Sequence, residues 1–149
     1  MIAAATAFRA WPGQVLEAER RAANPKSQPH TWVYQMNWHR NAPGARAMHT
    51  IDIPFMFDNL DAAPGQIGSS PEDIVAAQPL ATTMSEMLIH YAATGNPNHP
   101  GLPNWLAYDL QERNTMIWDD APHIEKDPRG EERRYAAASP YRQPGTYEP

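Results

Sequence analysis

The spacing of apolar and polar positions changes several times along the chain, and each change predicts an element. Ile2 to Ala10 is alanine-rich and helical in character, and Trp11-Pro12-Gly13 breaks it. Pro12 can open a second helix, in which Val15, Leu16, Ala18, Ala22 and Ala23 interleave with Glu17, Glu19, Arg20 and Arg21 until Asn24-Pro25 ends it. Period two takes over at Thr31 to Trp38. There Trp32, Tyr34, Met36 and Trp38 share one face, and the aromatic and β-branched content predicts a strand. A loop containing Pro43-Gly44 follows over His39 to Met48. Ile51 to Leu60 is strongly apolar, but Pro54 bars it from the centre of a sheet, so a buried irregular segment is expected.

Asp61 to Ser70 reads as a Gly/Pro/Ser loop. Ser70 can cap a short helix over Pro71 to Ala77, with Glu72 and Asp73 favouring its positive end. Pro79 is expected to restart the chain as a longer helix reaching Thr94. Leu80, Met84, Met87, Leu88 and Tyr91 give that helix a core-facing stripe. Gly95 suits the left-handed position after a helix end, and Asn96-Pro97 reinforces the stop. Residues 96–104 are turn-rich, and Thr115 to Trp118 is a short strand candidate. From Ala121 onward charge and proline dominate, with no periodicity beyond one turn. No internal repeat is present.

Composition then excludes classes. A length of 149 residues suits one ordinary domain, and 42% hydrophobic content suits a chain with a core. The 16 prolines, about twice the usual fraction, shorten the elements and lengthen the connections. With 12 Lys plus Arg against 17 Asp plus Glu, the formal charge is −5 and no basic cluster exists. That argues against nucleic-acid binding. The longest near-apolar stretch, Met1 to Phe8, falls far short of the ~20 residues of a membrane span, so no membrane partner is expected. It also lacks the basic flank of a secretory signal. The absence of cysteine removes disulfide scaffolds, thiol nucleophiles and iron–sulfur clusters, and it marks no compartment, cytoplasmic or exported.

Candidate chemistry is sparse. Among His30, His39, His49, His90, His99 and His123, no pair has the i, i+4 spacing of a metal motif, so no metal site is expected. Gly65-Gln66-Ile67-Gly68 lacks the residues of a phosphate loop, and Asp119-Asp120 reads as a solvated turn. His49 is the candidate base, placed in a loop after the strongest strand and before a buried apolar run. On position alone, a hydrogen-bonded structural histidine is the favoured reading.

Residues 31–60, TWVYQMNWHRNAPGARAMHTIDIPFMFDNL, resemble the catalytic-histidine segment of the type B carboxylesterases, the family of para-nitrobenzyl esterases with the cholinesterases as relatives. The shared pattern is an aromatic strand, Pro43-Gly44-Ala45, Ala47 two before His49, Asp52 three after it, and Phe55-Met56-Phe57 with Asn59-Leu60. Met84 to Asn98 resembles the family's late helix with its Thr-Gly-Asn-Pro ending. Leu102-Pro103-Asn104-Trp105 with Tyr108-Asp109 resembles the turn after it, although Leu106 replaces a usual proline. Thr115-Met116-Ile117-Trp118 is similar to the terminal strand, and Phe8-Arg9 precedes Pro12 much as in the family.

The resemblance implies the C-terminal part of an α/β-hydrolase fold, an incomplete sheet with helices and a few strands. Residues 1–135 would form that segment and 136–149 a flexible tail. It implies a serine esterase acting on carboxylic esters, with His49 as catalytic histidine and no cofactor. In that fold the order is nucleophile, acid, histidine. Upstream of His49 stand only Ser27, outside any Gly-x-Ser-x-Gly elbow, and the helical Glu17 and Glu19. The chain is therefore expected to carry the histidine without its nucleophile and acid, and to be inactive alone. The implied partners are a small-molecule ester and a complementary N-terminal polypeptide. Without that polypeptide, the strand edge and helix stripe would promote association. Asp52 is expected to anchor its loop by hydrogen bonds, and the aromatic strand and Phe55-Met56-Phe57 to be core. The alternative is a cholinesterase-like adhesion module that binds without catalysis.

Overall fold

A computed structural model describes residues 11–138. The helix expected over Ile2 to Ala10 and the tail from residue 139 lie outside the described residues. The chain divides into two units, one holding described residues 11–33, 107–114 and 126–138, the other residues 34–106 and 115–125.

The second unit carries the aromatic strand and the histidine loop. The strand β1 (Val33–Met36) begins the three-stranded order β1-β2-β3. Its partner β2 (Asn114–Trp118) is buried at all five positions, and β3 (His123–Lys126) is mostly exposed. Four residues link β2 to β3, which only an antiparallel pairing allows. β1 is shorter than the expected Thr31 to Trp38, and both ends show why. The Thr31 carbonyl is taken by the Tyr108 N–H at 2.7 Å. At the other end, Asn37 and Trp38 both donate to the Trp118 carbonyl at 2.8 Å, a two-against-one arrangement that ends a regular ladder.

Ile51 to Leu60 is not irregular throughout. It contains the short helix α2 (Asp52–Met56) and leads into a 3-10 turn, Leu60–Ala62. Pro54 excludes a strand, but within the first helical turn its missing N–H has no partner to lose. Phe55 is fully buried and meets Trp38 edge-on, ring centroids 4.7 Å apart. The expected loop over Asp61 to Ser70 also contains a single helical turn, α3 (Pro64–Ile67), anchored by a fully buried Ile67.

The two helices expected on either side of Pro79 are one, α4 (Pro71–Thr94). Ser70 accepts from the Asp73 N–H, Asp73 reaches back to the Ser70 N–H, and Gly95 closes the helix at φ 76°. Pro79 deletes one hydrogen bond, to the Val75 carbonyl, at a cost of about 3 kcal/mol. Both residues lie on the exposed side, where water can reach that carbonyl. Burial of Ala77, Leu80, Ala81, Met84 and Met87 against α2 and its neighbours outweighs the loss. The stripe is thus shifted toward the N-terminus of the helix: Leu88 is half-buried and Tyr91 exposed. Trp105 and Trp118, both buried, pack edge-on in the same unit.

In the first unit, α1 (Trp11–Ala22) buries little beyond Ala18. Tyr108, Thr31 and Asn114 supply the rest of its buried positions. Residues beyond Ala121 do form elements, β3, most of it in the second unit, and the helix α5 (Gly130–Ala137) in the first. Neither has a buried residue, so neither leaves a hydrophobic period to read. Among the described residues no helix is long and apolar enough to cross a membrane.

Candidate active site around His49

His49 stands on the turn that leads into α2, and its side chain is exposed. The next residue decides the shape of that turn. Thr50 has φ 67°, a left-handed backbone that a β-branched residue adopts at a cost on the order of 1–2 kcal/mol. Its hydroxyl donates to the His49 carbonyl at 2.5 Å. Gln66, on α3, donates from Nε2 to the same carbonyl at 2.8 Å and to Thr50 Oγ1 at 3.1 Å. The backbone of the turn is therefore tied from a distant element. The His49 imidazole itself makes no hydrogen bond to any described residue.

The carboxylate nearest in sequence faces elsewhere. Asp52 Oδ2 accepts from the Tyr34 hydroxyl at 2.7 Å, joining the first turn of α2 to β1. This is the loop-anchoring role expected of it. Partial burial, the hydrogen bond to Asp52 and that group's negative charge, in this order, push the Tyr34 phenol well above its usual range. The pair is thus a neutral phenol on a carboxylate.

The apolar run divides in two. Phe55 is core, whereas Phe57 is 66% exposed, as are Met48 at 53% and Ile53 at 50%. The expectation that Phe55-Met56-Phe57 is core holds for Phe55 and fails for Phe57, which lies one position past the C-terminus of α2.

The other upstream candidates have partners of their own in the first unit. Ser27 donates to the Arg21 carbonyl at 2.8 Å, in a turn rather than on a strand-to-helix elbow. Glu19 takes Arg113 at 2.9 Å and Arg133 at 3.6 Å, and Glu17 lies 3.9 Å from Arg21.

The remaining histidines are engaged locally or lie on the surface. His90 Nδ1 contacts the Asn96 carbonyl at 2.8 Å and His99 Nδ1 the Pro100 carbonyl at 2.9 Å. His123 sits between the Ala121 carbonyl and Glu125; those two contacts raise its pKa above the usual value. Among the described residues no group of three His, Cys, Asp or Glu could hold a metal ion. Sequence reasoning missed Gln66 and Tyr34. Each acts on the His49 region from 16 to 18 positions away, a separation without a local pattern to betray it.

An exposed imidazole can take a proton at one nitrogen while the other donates, and it becomes an effective base when a carboxylate fixes its tautomer. No family profile matches the sequence. Curated relatives do. The para-nitrobenzyl esterase of Bacillus subtilis (strain 168) is 36% identical over 104 residues, which are 69% of this chain and 21% of that protein. The phenmedipham hydrolase of Pseudarthrobacter oxydans is 27% identical over 84 residues, 54% of this chain and 17% of that one. Among solved structures, a thermophilic PNB esterase superposes with a TM-score of 0.61 at 33% identity, over 69% of this chain and 21% of its own. An esterase from Clostridium hathewayi, described as hydrolysing aliphatic aromatic polyesters, reaches 0.61 at 25% identity over 73% and 21%. The chain spans about a fifth of the length of the relatives it matches. These neighbours have the α/β-hydrolase fold, and the helices and small sheet here are a partial α/β domain of that kind.

Proposed function

We propose, on the premise that the chain's homologues are para-nitrobenzyl esterases of the type B carboxylesterase family, that it contributes the general base of a carboxylic ester hydrolase. His49 is that base. The serine and the acid come from residues outside this sequence, which also supply most of the substrate pocket. In the assembled site the imidazole takes the serine proton as the hydroxyl attacks the ester carbonyl. It then protonates the departing alcohol and repeats the cycle with water to release the acid. Asp52 is given no part in the triad, because its Oδ2 accepts from Tyr34 and it makes no hydrogen bond to the His49 ring.

The observation that supports this reading is the contrast within one residue. The backbone of His49 is tied down by Gln66, yet its ring is exposed and without a hydrogen-bond partner among the described residues. A structural histidine would have its ring engaged.

The test is co-expression with a polypeptide bearing a Gly-x-Ser-x-Gly elbow from a para-nitrobenzyl esterase, assayed on a short-chain para-nitrophenyl ester. The chain alone should be inactive and the pair active. His49→Ala should then lower kcat by about 10⁴-fold or more. Undiminished turnover in that variant would refute the assignment.

A further inference from the structure

We infer that Gln66 is a positioning residue for His49, holding the histidine turn in a backbone conformation that it would not otherwise keep. The inference rests on the reading of His49 as the general base. Three observations carry it.

First, Thr50 is left-handed at φ 67°, in a region that β-branched residues avoid. A turn of this kind persists only where its surroundings enforce it. Second, one amide group does the enforcing from outside the turn. Gln66 Nε2 reaches both the His49 carbonyl and Thr50 Oγ1. Both acceptors demand an N–H, since the Thr50 proton already points at the His49 carbonyl. The orientation of the amide is thereby fixed as well.

Third, Gln66 is presented from a rigid support. Its neighbour Ile67 is fully buried. Beyond it, Gly68 has φ +114°, and a Cβ there would lie 2.2 Å from Asp73 Oδ2. Asp73 is the residue that closes the capping box of α4. A continuous line of contact therefore runs from the first turn of the longest helix, through Gly68 and Gln66, to the peptide that follows the His49 side chain. The direction in which the His49 Cα–Cβ bond leaves the turn follows from the orientation of that peptide, and it limits where the imidazole can reach. A base misplaced by an ångström loses much of its rate.

The experiment uses the isotopically labelled 149-residue chain and two variants, Gln66→Ala and Gln66→Glu. The second keeps side-chain length but presents a carboxylate, which has no N–H to donate at neutral pH. The one-bond Cα–Hα coupling of Thr50 separates left-handed from ordinary backbone. It should report the left-handed form in the native chain and move toward the ordinary value in both variants. In the complemented esterase, the same variants should lower kcat about tenfold with KM unchanged. An unchanged Thr50 coupling in both variants would overturn the inference, as would a shifted coupling with kcat intact. If the native pair hydrolyses no ester, the catalytic reading of His49 fails, while the coupling still decides whether Gln66 holds the turn. Should Gln66→Ala fail to fold, Gln66→Glu answers alone.

Discussion

Each unit is held together internally by a different force. The second is built on apolar burial: Trp38, Phe55, Ile67, Met84, Met116, Ile117 and Trp118 are nearly or wholly removed from water. The first buries few apolar side chains, Ala18 and Tyr108, and relies on charge. Asp127 accepts from Arg133 Nε at 2.9 Å and Nη2 at 2.8 Å, a two-pronged pairing, and Arg133 also lies 3.6 Å from Glu19. Glu19 in turn takes Arg113, Lys126 pairs with Glu112, and the Arg129 guanidinium sits 4.2 Å over the Trp11 ring while bonding Glu132. The difference teaches where each unit is vulnerable. Volume changes should damage the second more than charge conditions do; the first should respond more strongly to pH and salt.

The largest effect expected from this contrast is Phe55→Ala. Removing a fully buried ring that packs edge-on against Trp38 should destabilise by about 3–5 kcal/mol, since the surroundings cannot collapse fully into the cavity. The Trp38 indole lies at the lesion, so urea unfolding followed by tryptophan fluorescence reads the change directly. The loss should be the same at low and high salt. A salt-dependent loss would break the division between the units.

Asp127→Ala should cost less, about 1–2 kcal/mol, because the network is only partly withdrawn from water. Its signature is pH. The Arg133 hydrogen bonds, foremost, and the charges of Arg133, Arg113 and Arg134 hold the Asp127 carboxyl below its ordinary 3.8, against a smaller opposing effect of burial. A depressed folded-state pKa means that the stabilisation is present above the ordinary value and is lost as pH falls through the folded one. The difference between wild type and Asp127→Ala should therefore be full at pH 7 and shrink below about pH 4. Urea midpoints across that range, at low and high salt, test it. A difference that persisted at pH 2 would mean that Asp127 acts through backbone shape, for which its φ of 48° is the alternative source.

The same contrast explains what could be read in the sequence. The second unit was legible where burial is periodic or termini are capped: the β2 strand, the Ser70 cap, the Gly95 stop and most of the α4 stripe. It misled at Pro79, where local rules weigh a proline against its own neighbours and packing of Leu80 decided otherwise. At Pro54 it rightly excluded a strand but missed a helical turn in which the missing N–H has no partner to lose. Beyond Ala121 the chain was largely illegible in both units, because neither β3, most of it in the second, nor α5, in the first, has a buried residue, and ion pairs carry no period. For the candidate site, the position of His49 came from motif and place in the chain. The supports of its turn, Gln66 and the Tyr34–Asp52 pair, bridge distant segments, and only the fold brings them together.

The smallest effect sharpens the comparison inside the second unit. Ser70→Ala removes the hydroxyl that accepts the Asp73 N–H at 3.1 Å and donates to its carboxylate at 2.9 Å. A lost cap costs about 1 kcal/mol, which is about a fivefold change in an opening equilibrium. Amide exchange at Asp73 should accelerate by about that factor, while exchange around Met84, in the buried middle of α4, should hardly change. Acceleration of equal size along the whole helix would mean that α4 opens as one piece, and that its capped first turn gives Gly68 and Gln66 no local footing of its own. Confinement to the first turn would place that footing, and hence the hold on Thr50, in a region whose stability can be tuned without loosening the core.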